Sequence, residues 1–329
     1  KWKGMIYRQG IYGVAGKYVA YLGNWEKSNI PGGWIWDDMG NYYGAGSGAL
    51  NWHENQYDLV LASGNTVGDS VKIIETRPNL IQTNLVAELT SAAKGSGDNA
   101  YIYLAPMADK GFVRGTIPLA EQAFVISGSF PDPAMQLLGT LQALVENGLP
   151  HPPKYQYNYD KKPAAFETIG TIRSPTLDSL NYWFMKKSIN LYGETFVKTM
   201  GLEKSGFGAT ETGLRVLKNF WKERGIEPAS LHMIDGSGLS PQNRVSTDAL
   251  IRVLQYARSR PWFNYYYDAL PVYNKMKLKS GTIGGAKSFA GYHTAKDGTE
   301  YSLAIIVNNF DGSAAEMVKK MFLVLDELK

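Results

Sequence analysis

The stretch Val272–Asn308, VYNKMKLKSGTIGGAKSFAGYHTAKDGTEYSLAIIVN, decides the reading of the fold. Val272 to Leu278, Ser288 to Thr294 and Tyr301 to Asn308 carry strand signals, and Lys296-Asp297-Gly298 is a turn. The connections are too short for parallel crossovers, so the three runs read as an antiparallel meander. Directly after it, Ala314 to Leu328 places Met317, Met321, Leu325 and Leu328 on one face of a closing helix.

Upstream of the meander the pattern is helical. Ser174-Pro175 opens one helix, with Leu177, Leu180 and Phe184 on a face, broken near Lys186-Lys187-Ser188. A second runs from about Leu191 through Phe196 to Met200. A third covers 210–224 (Leu214, Leu217, Phe220-Trp221) and stops at Gly225. Asp248 to Arg258 is a fourth, with Leu250, Val253-Leu254 and Ala257 inward. Helices, a meander and a last helix specify an α/β protein of the α+β kind, an antiparallel sheet flanked by helices, and not a βαβ repeat.

The first half reads differently. Residues 11–21 alternate loosely, and short strand-like runs stand at Asp58–Leu61, Val71–Ile74, Ala100–Leu104 and Ala123–Ile126, between Gly-, Pro- and Ser-rich turns. Asp132-Pro133 opens a helix with Ala134, Leu137, Leu138, Leu141 and Leu144-Val145 at helical spacing, and Gly148 stands where a C-terminal cap is expected. The aperiodic stretch from Leu149 to Lys162 marks the expected boundary. Residues 1–160 form a mostly β region, and 161–329 the mixed domain.

Composition excludes several classes. The 329 residues contain 34 Lys+Arg against 30 Asp+Glu, a formal net charge of +4 without a basic block, which argues against a nucleic-acid footprint. With 44% hydrophobic and 19% charged residues the chain is not disordered. No run approaches the ~18 apolar residues that span a bilayer. Cysteine is absent, which removes disulfides, thiolate zinc sites and a cysteine nucleophile together. Lys1-Trp2-Lys3-Gly4 carries no secretory apolar run, so a targeting signal is expected to be removed or never present. The many aromatics, dense in the first 60 residues and again at Trp262–Tyr267, suggest half-buried sheets or a surface facing sugar or peptide.

Three short motifs carry chemistry. In Ser188-Ile189-Asn190 a hydroxyl and a carboxamide two residues apart cannot share a helix face, but in a short link between helices both can point into one cleft. There they could relay a proton and hold a substrate amide. Ser-x-Asn also occurs at Ser63-Gly64-Asn65, within turn-like sequence. Lys279-Ser280-Gly281-Thr282 ends a strand run. Alternation puts Lys277, Lys279 and Gly281 on one face and Leu278 with Ser280 on the other. Lys279 would be a fixed cation there, and Gly281 leaves room for a ligand along the strand edge. A second Lys-Ser-Gly, Lys204–Gly206, reads as a linker. Asp235-Gly236-Ser237-Gly238-Leu239-Ser240, followed by Asn243–Ser246, is a turn cluster that caps the Asp248 helix. It is no nucleophile elbow, since Gly-x-Ser-x-Gly is missing. His53, His151, His232 and His293 have no metal-ligand spacing, and no phosphate loop occurs, so neither metal nor organic cofactor is expected.

As an ordered set, Ser-x-Asn, Asp-Gly-Ser-Gly-Leu-Ser and Lys-Ser-Gly-Thr resemble the low-molecular-mass class C penicillin-binding proteins, the D-alanyl-D-alanine carboxypeptidase/endopeptidase family called peptidase S13. Pro31–Asp38 with Tyr42–Ala45 is similar to the Trp/Asp segment of that family's inserted domain, and Ser174-Pro175-Thr176-Leu177 to its return into the catalytic domain. The resemblance implies a penicillin-binding, serine β-lactamase-like transpeptidase domain carrying a β-rich insertion. It implies that Ser188 shuttles a proton to the leaving amine and that Asn190 binds the peptide carboxamide. Lys279, Ser280 and Thr282 would hold the C-terminal carboxylate, with the Thr282 N–H as half of an oxyanion hole. The family's acylating Ser-x-x-Lys precedes the insertion, and the resemblance implies that this chain starts within that insertion. The one Ser-x-x-Lys here, Ser91-Ala92-Ala93-Lys94, reads better as the end of a surface helix.

The implied activity is cleavage of the D-Ala-D-Ala bond of peptidoglycan stem peptides through an acyl-serine, with β-lactam antibiotics as competing acylators, outside the cytoplasm (periplasmic or cell-wall-facing). A non-catalytic peptidoglycan-binding module and, third, a β-lactamase are the other readings.

Overall fold

The computed structural model describes residues 1–146, 152, 154–160 and 165–329. Gly148, His151 and part of the 149–162 stretch lie outside the described residues. The chain forms two compact units, Lys1–Arg173 with Leu202–Ala209, and Ser174–Gly201 with Thr210–Lys329. The division falls at Arg173/Ser174, past the expected boundary near 160, and the stretch read as aperiodic contains a strand of the first unit, Tyr155–Asn158.

In that unit, chain order gives α1 (Trp2–Arg8), β1 (Tyr18–Tyr21), α2 (Trp36–Met39), β2 (Gln56–Ala62), β3 (Lys72–Arg77), β4 (Asn84–Ala92), β5 (Asn99–Tyr103), β6 (Lys110–Pro118), β7 (Phe124–Ser129), α3 (Pro133–Val145) and β8 (Tyr155–Asn158). Strands β3-β2-β7 and β4-β6-β5 make two three-stranded sheets, while β1 and β8 pair in parallel. Alternation in β2 buries Tyr57, Leu59 and Leu61, which join Leu89, Ile102, Val113 and Ile126 in one apolar core. A second core sets Leu138, Leu141 and Val145 of α3 against Tyr18, Ala20 and Leu22. Asp132 caps α3 as its sequence suggests, accepting the Met135 N–H at 3.0 Å.

The second unit contains α4 (Leu177–Lys187), α5 (Asn190–Ser205) as far as Gly201, α6 (Thr210–Lys222), β9 (Leu231–His232), β10 (Arg244–Val245), α7 (Thr247–Arg258), α8 (Phe263–Ala269), β11 (Val272–Tyr273), β12 (Met276–Ile283), β13 (Ala286–Thr294), β14 (Glu300–Asn308) and α9 (Ala314–Asp326). Its main sheet is the antiparallel meander β11-β12-β13-β14. The run Val272–Leu278 is not one strand. Asn274 and Lys275 both take positive φ, 50° and 63°, and make a two-residue hairpin turn. The aromatic stretch Phe263–Tyr267 is helix α8, not sheet. Its rings pack around Tyr292.

Strand pleating sorts the two faces of this sheet. Met276, Leu278, Phe289 and Leu303 meet Met321 and Leu325 of α9 on one face. Tyr292 and Ala290, on the other, meet Met185 of α4, Leu254 of α7 and Ala269 and Leu270 at the end of α8. Lys279 pairs with Ala290 and therefore faces α4, while Ser280 and Thr282 pair with Phe289 and Lys287 and face the α9 side. Register alone thus directs the lysine toward the end of α4, where Ser188 stands.

Candidate active site

Helix α4 starts on a Thr176 cap, whose hydroxyl accepts the Ser179 N–H. It ends at Ser188, which adopts φ 52° and ψ 46°. That left-handed conformation usually belongs to Gly or Asn and costs other residues about 1 kcal/mol. Ser188 and Ile189 form the whole link, and Asn190 opens α5. Across the groove the Lys279 ammonium donates to the Ser188 hydroxyl and, at 2.8 Å, to the Ser280 carbonyl. Residues 91 positions apart therefore share one hydrogen bond. Burial holds the Lys279 pKa below the usual lysine value, and the positive charge of Lys287 acts in the same direction.

The edge of β12 completes the groove. Beyond the short β11, the Leu278 N–H donates to Pro271 O at 3.0 Å on the side away from β13. The period of two turns the N–H groups of Ser280 and Thr282 the same way. Among the described residues no strand pairs with 279–283 on that side. Here lies a row of donors next to a cation and a hydroxyl, suited to an extended peptide. The Ser280 hydroxyl is turned to the Tyr273 hydroxyl at 3.3 Å, and the Thr282 hydroxyl accepts from Lys287. Gly281 is exposed, and a Cβ there would meet the Ser288 hydroxyl on β13 at 2.6 Å. Asn190 is half-buried beside Ser188.

The Asp-Gly-Ser-Gly-Leu-Ser loop buttresses α5. Asp235, buried, accepts from the N–H groups of Gly238 (2.7 Å) and Ser240 (2.6 Å) and from the Asn243 amide (2.9 Å). Glu194 of α5, fully buried, accepts from the Gly236 N–H (3.1 Å) and the Ser237 N–H (2.8 Å). Gly193 and Gly236 allow this approach, since a Cβ on Gly193 would lie 2.7 Å from Gly236 O. The sequence reading missed Glu194. Its signal was the stripe Leu191, Glu194, Val197, Lys198, Gly201, in which two charged residues occupy buried positions. The expected helix cap is Ser246, which accepts the Ala249 N–H.

Burial, and then the negative charge of Asp235, push the Glu194 pKa up to about 7. A carboxyl raised in the folded state stabilises the fold fully below its ordinary value. That contribution fades as pH rises through about 7, by on the order of 3 kcal/mol. Urea unfolding of Glu194→Gln is therefore expected to show a flatter loss of stability between pH 5 and 8 than the wild type, on the order of 3 kcal/mol less. An unchanged slope would assign the pH dependence elsewhere.

The other motif copies are structural. Ser91 is a buried residue of β4, not a surface helix end, and its hydroxyl accepts from the Gly64 N–H and donates to Asp69 O. The inward face of Asn84–Ala92 is Leu85, Ala87, Leu89 and Ser91, with the serine at its end. Ser63 donates to Pro118 O at 2.7 Å, and Lys204 and Ser205 end α5 and are not a linker. Among the described residues no group of three His, Asp or Glu could hold a metal ion, and no helix is long and apolar enough to cross a membrane.

The fold agrees with what the chain is similar to. A 30%-identical relative over 179 residues is a D-alanyl-D-alanine carboxypeptidase of an Actinomadura species, matching 48% of this chain and 33% of that protein. Penicillin-sensitive carboxypeptidase A of Dictyostelium discoideum is 25% identical over 262 residues, 71% of this chain and 46% of that protein. The chain thus spans between a third and a half of these two relatives. The crystal structure of penicillin binding protein 4 (dacB) from Haemophilus influenzae superposes with a TM-score of 0.81 at 19% identity, covering 99% of this chain and 77% of that one, so the fold is of the penicillin-binding type. A family model described as D-Ala-D-Ala carboxypeptidase 3 (S13) matches residues 4–327, nearly end to end, and the chain therefore belongs to that family.

Proposed function

We propose that this chain supplies the substrate groove of a serine-type D-alanyl-D-alanine carboxypeptidase/endopeptidase, acting on peptidoglycan stem peptides outside the cytoplasm. The observation that carries the reading is the Lys279–Ser188 hydrogen bond beside the open edge of β12. In this reading the unit Ser174–Gly201 with Thr210–Lys329 is the catalytic domain's larger part, and residues 1–173 are its β-rich insertion.

The stem peptide lies along β12 as an added strand, its C-terminal carboxylate near Lys279, Ser280 and Thr282. Asn190 holds the peptide carboxamide. Attack by a seryl hydroxyl on the carbonyl of the penultimate D-Ala builds an oxyanion, which the Thr282 N–H stabilises. Ser188 relays the proton that the attacking hydroxyl loses to the departing D-Ala amine, and so ends the step protonated as it began. The adjacent ammonium favours the form of Ser188 that has given up its proton, and Lys279 thereby eases the transfer. Water then releases the acyl group. No described residue is assigned the ester-forming role, since the Ser91 hydroxyl is bound to backbone inside β4.

That burial of Ser91 favours a second reading, a module that binds stem peptide without cutting it. Penicillin binding protein 4 of Haemophilus influenzae has been crystallised in complex with a β-lactam, and β-lactams are the probes here. Calorimetry with an acylated D-Ala-D-Ala peptide is expected to show binding, and an L-Ala-L-Ala peptide none. Covalent labelling by a fluorescent penicillin supports the hydrolase, and rapid turnover of that penicillin would point to a β-lactamase. Peptide binding with no labelling, either of this chain or of a longer protein that contains it, supports the module. Absence of D-Ala-D-Ala binding contradicts both stem-peptide readings, and labelling abolished by Ser91→Ala would reinstate Ser91 as nucleophile.

A further inference from the structure

Lys287 stands on β13 directly opposite Thr282, on the α9 face of the sheet, and its ammonium crosses to the Thr282 hydroxyl. Its nitrogen also lies 5.6 Å from the centre of the Phe289 ring. Lys279 reaches the same edge from the opposite face. Among the described residues neither ammonium meets a carboxylate. Their partners are two hydroxyls, a carbonyl and a ring, all neutral. Two half-buried cations without a counter-ion repel each other, and an anion at the edge they share relieves that repulsion.

We propose that Lys287 is a specificity determinant of the groove, a second cation that reads the free C-terminal carboxylate of the bound peptide. The proposal rests on the D-Ala-D-Ala reading and adds a residue that the sequence motifs do not contain. A carboxylate has two oxygens. The Thr282 hydroxyl and the Lys287 ammonium form a donor pair on the α9 side, and Lys279 supplies charge from the α4 side, so the two lysines bracket a single planar monoanion. The Ser280 and Thr282 N–H groups, which face the open side, align the preceding peptide so that its terminus arrives there. Burial keeps the Lys287 pKa below the ordinary lysine value. The same burial strengthens its attraction for an anion that displaces the remaining water.

The test is calorimetry on the wild-type chain, Lys287→Met and Lys287→Arg, with an acylated D-Ala-D-Ala peptide and with the same peptide carrying a C-terminal amide. Wild type is expected to favour the free acid by about tenfold or more. Lys287→Met should lose about tenfold in affinity for the acid, leave the amide unchanged and melt at the wild-type temperature, and Lys287→Arg should stay within about threefold of wild type. If Lys287→Met binds the acid as wild type does, or weakens acid and amide alike, Lys287 does not read the carboxylate and the groove assignment stands. If wild type binds neither peptide, the groove assignment itself is overturned and the role of Lys287 with it.

Discussion

Lys279→Ala is expected to weaken binding of an acylated D-Ala-D-Ala peptide by up to about a hundredfold while the chain stays folded. The side chain serves two functions in the groove. Its ammonium gives a charge-assisted hydrogen bond, worth about 1.5–3 kcal/mol, at the site where the carboxylate is placed. It also fixes the Ser188 hydroxyl, which otherwise rotates freely at the end of α4. Removing a half-buried cation relieves its partial desolvation, so the melting temperature should not fall with the affinity. Lys279→Arg should not rescue binding, because a planar guanidinium cannot occupy the place of a compact ammonium between the Ser188 hydroxyl and the Ser280 carbonyl. Calorimetry and a thermal melt on the three proteins check this. Wild-type affinity in Lys279→Ala would remove the lysine from the site.

A second large effect is expected at Gly193, with a sign opposite to helix propensity. Within a helix, Gly to Ala ordinarily stabilises by up to about 1 kcal/mol. At Gly193 the new Cβ would lie 2.7 Å from the Gly236 carbonyl oxygen and 3.1 Å from a Phe184 ring carbon. The loop cannot withdraw easily, because Glu194 holds the Gly236 and Ser237 N–H groups. Gly193→Ala should therefore cost about 2–3 kcal/mol in urea unfolding, as overpacking does. It should also weaken peptide binding, since α5 carries Asn190 and follows directly on Ser188. A stabilised variant would mean that helix α5 and the loop do not approach as described.

The parts of this molecule that could be read from its sequence are those in which one local pattern is decisive. The helices α3, α7 and α9 have apolar stripes and side-chain caps at Asp132, Ser246 and Ser313, whereas Leu177, expected on the inward face of α4, is exposed; β12 to β14 alternate between turns. The link Ser188-Ile189 was visible as a break between two helical patterns. Strands β4 and β6 were not visible. Glu88 and Arg114 pair across them on the exposed face, and Gly111, Gly115 and Pro118 make β6 look like turns. Gly115 is there because φ is 105° and a Cβ would strike Asn99 O at 2.1 Å. Strand β8 gains its definition from β1, far away in the chain, and no local signal announces such a pairing. The sequence motifs named the residues of the groove but could not say how their hydroxyls are used. Tyr273 and Lys287, which engage Ser280 and Thr282, stand outside every motif. Their roles follow from strand register, which a single sequence leaves open.

The most direct measurement is a nitrogen-15 amide NMR titration of the chain with an acylated D-Ala-D-Ala peptide. The account predicts saturable shifts concentrated at Ser188, Asn190 and the Ser280–Thr282 edge, absent with an L-Ala-L-Ala peptide. Saturable shifts that leave these positions unmoved, or no shifts at all, would contradict it.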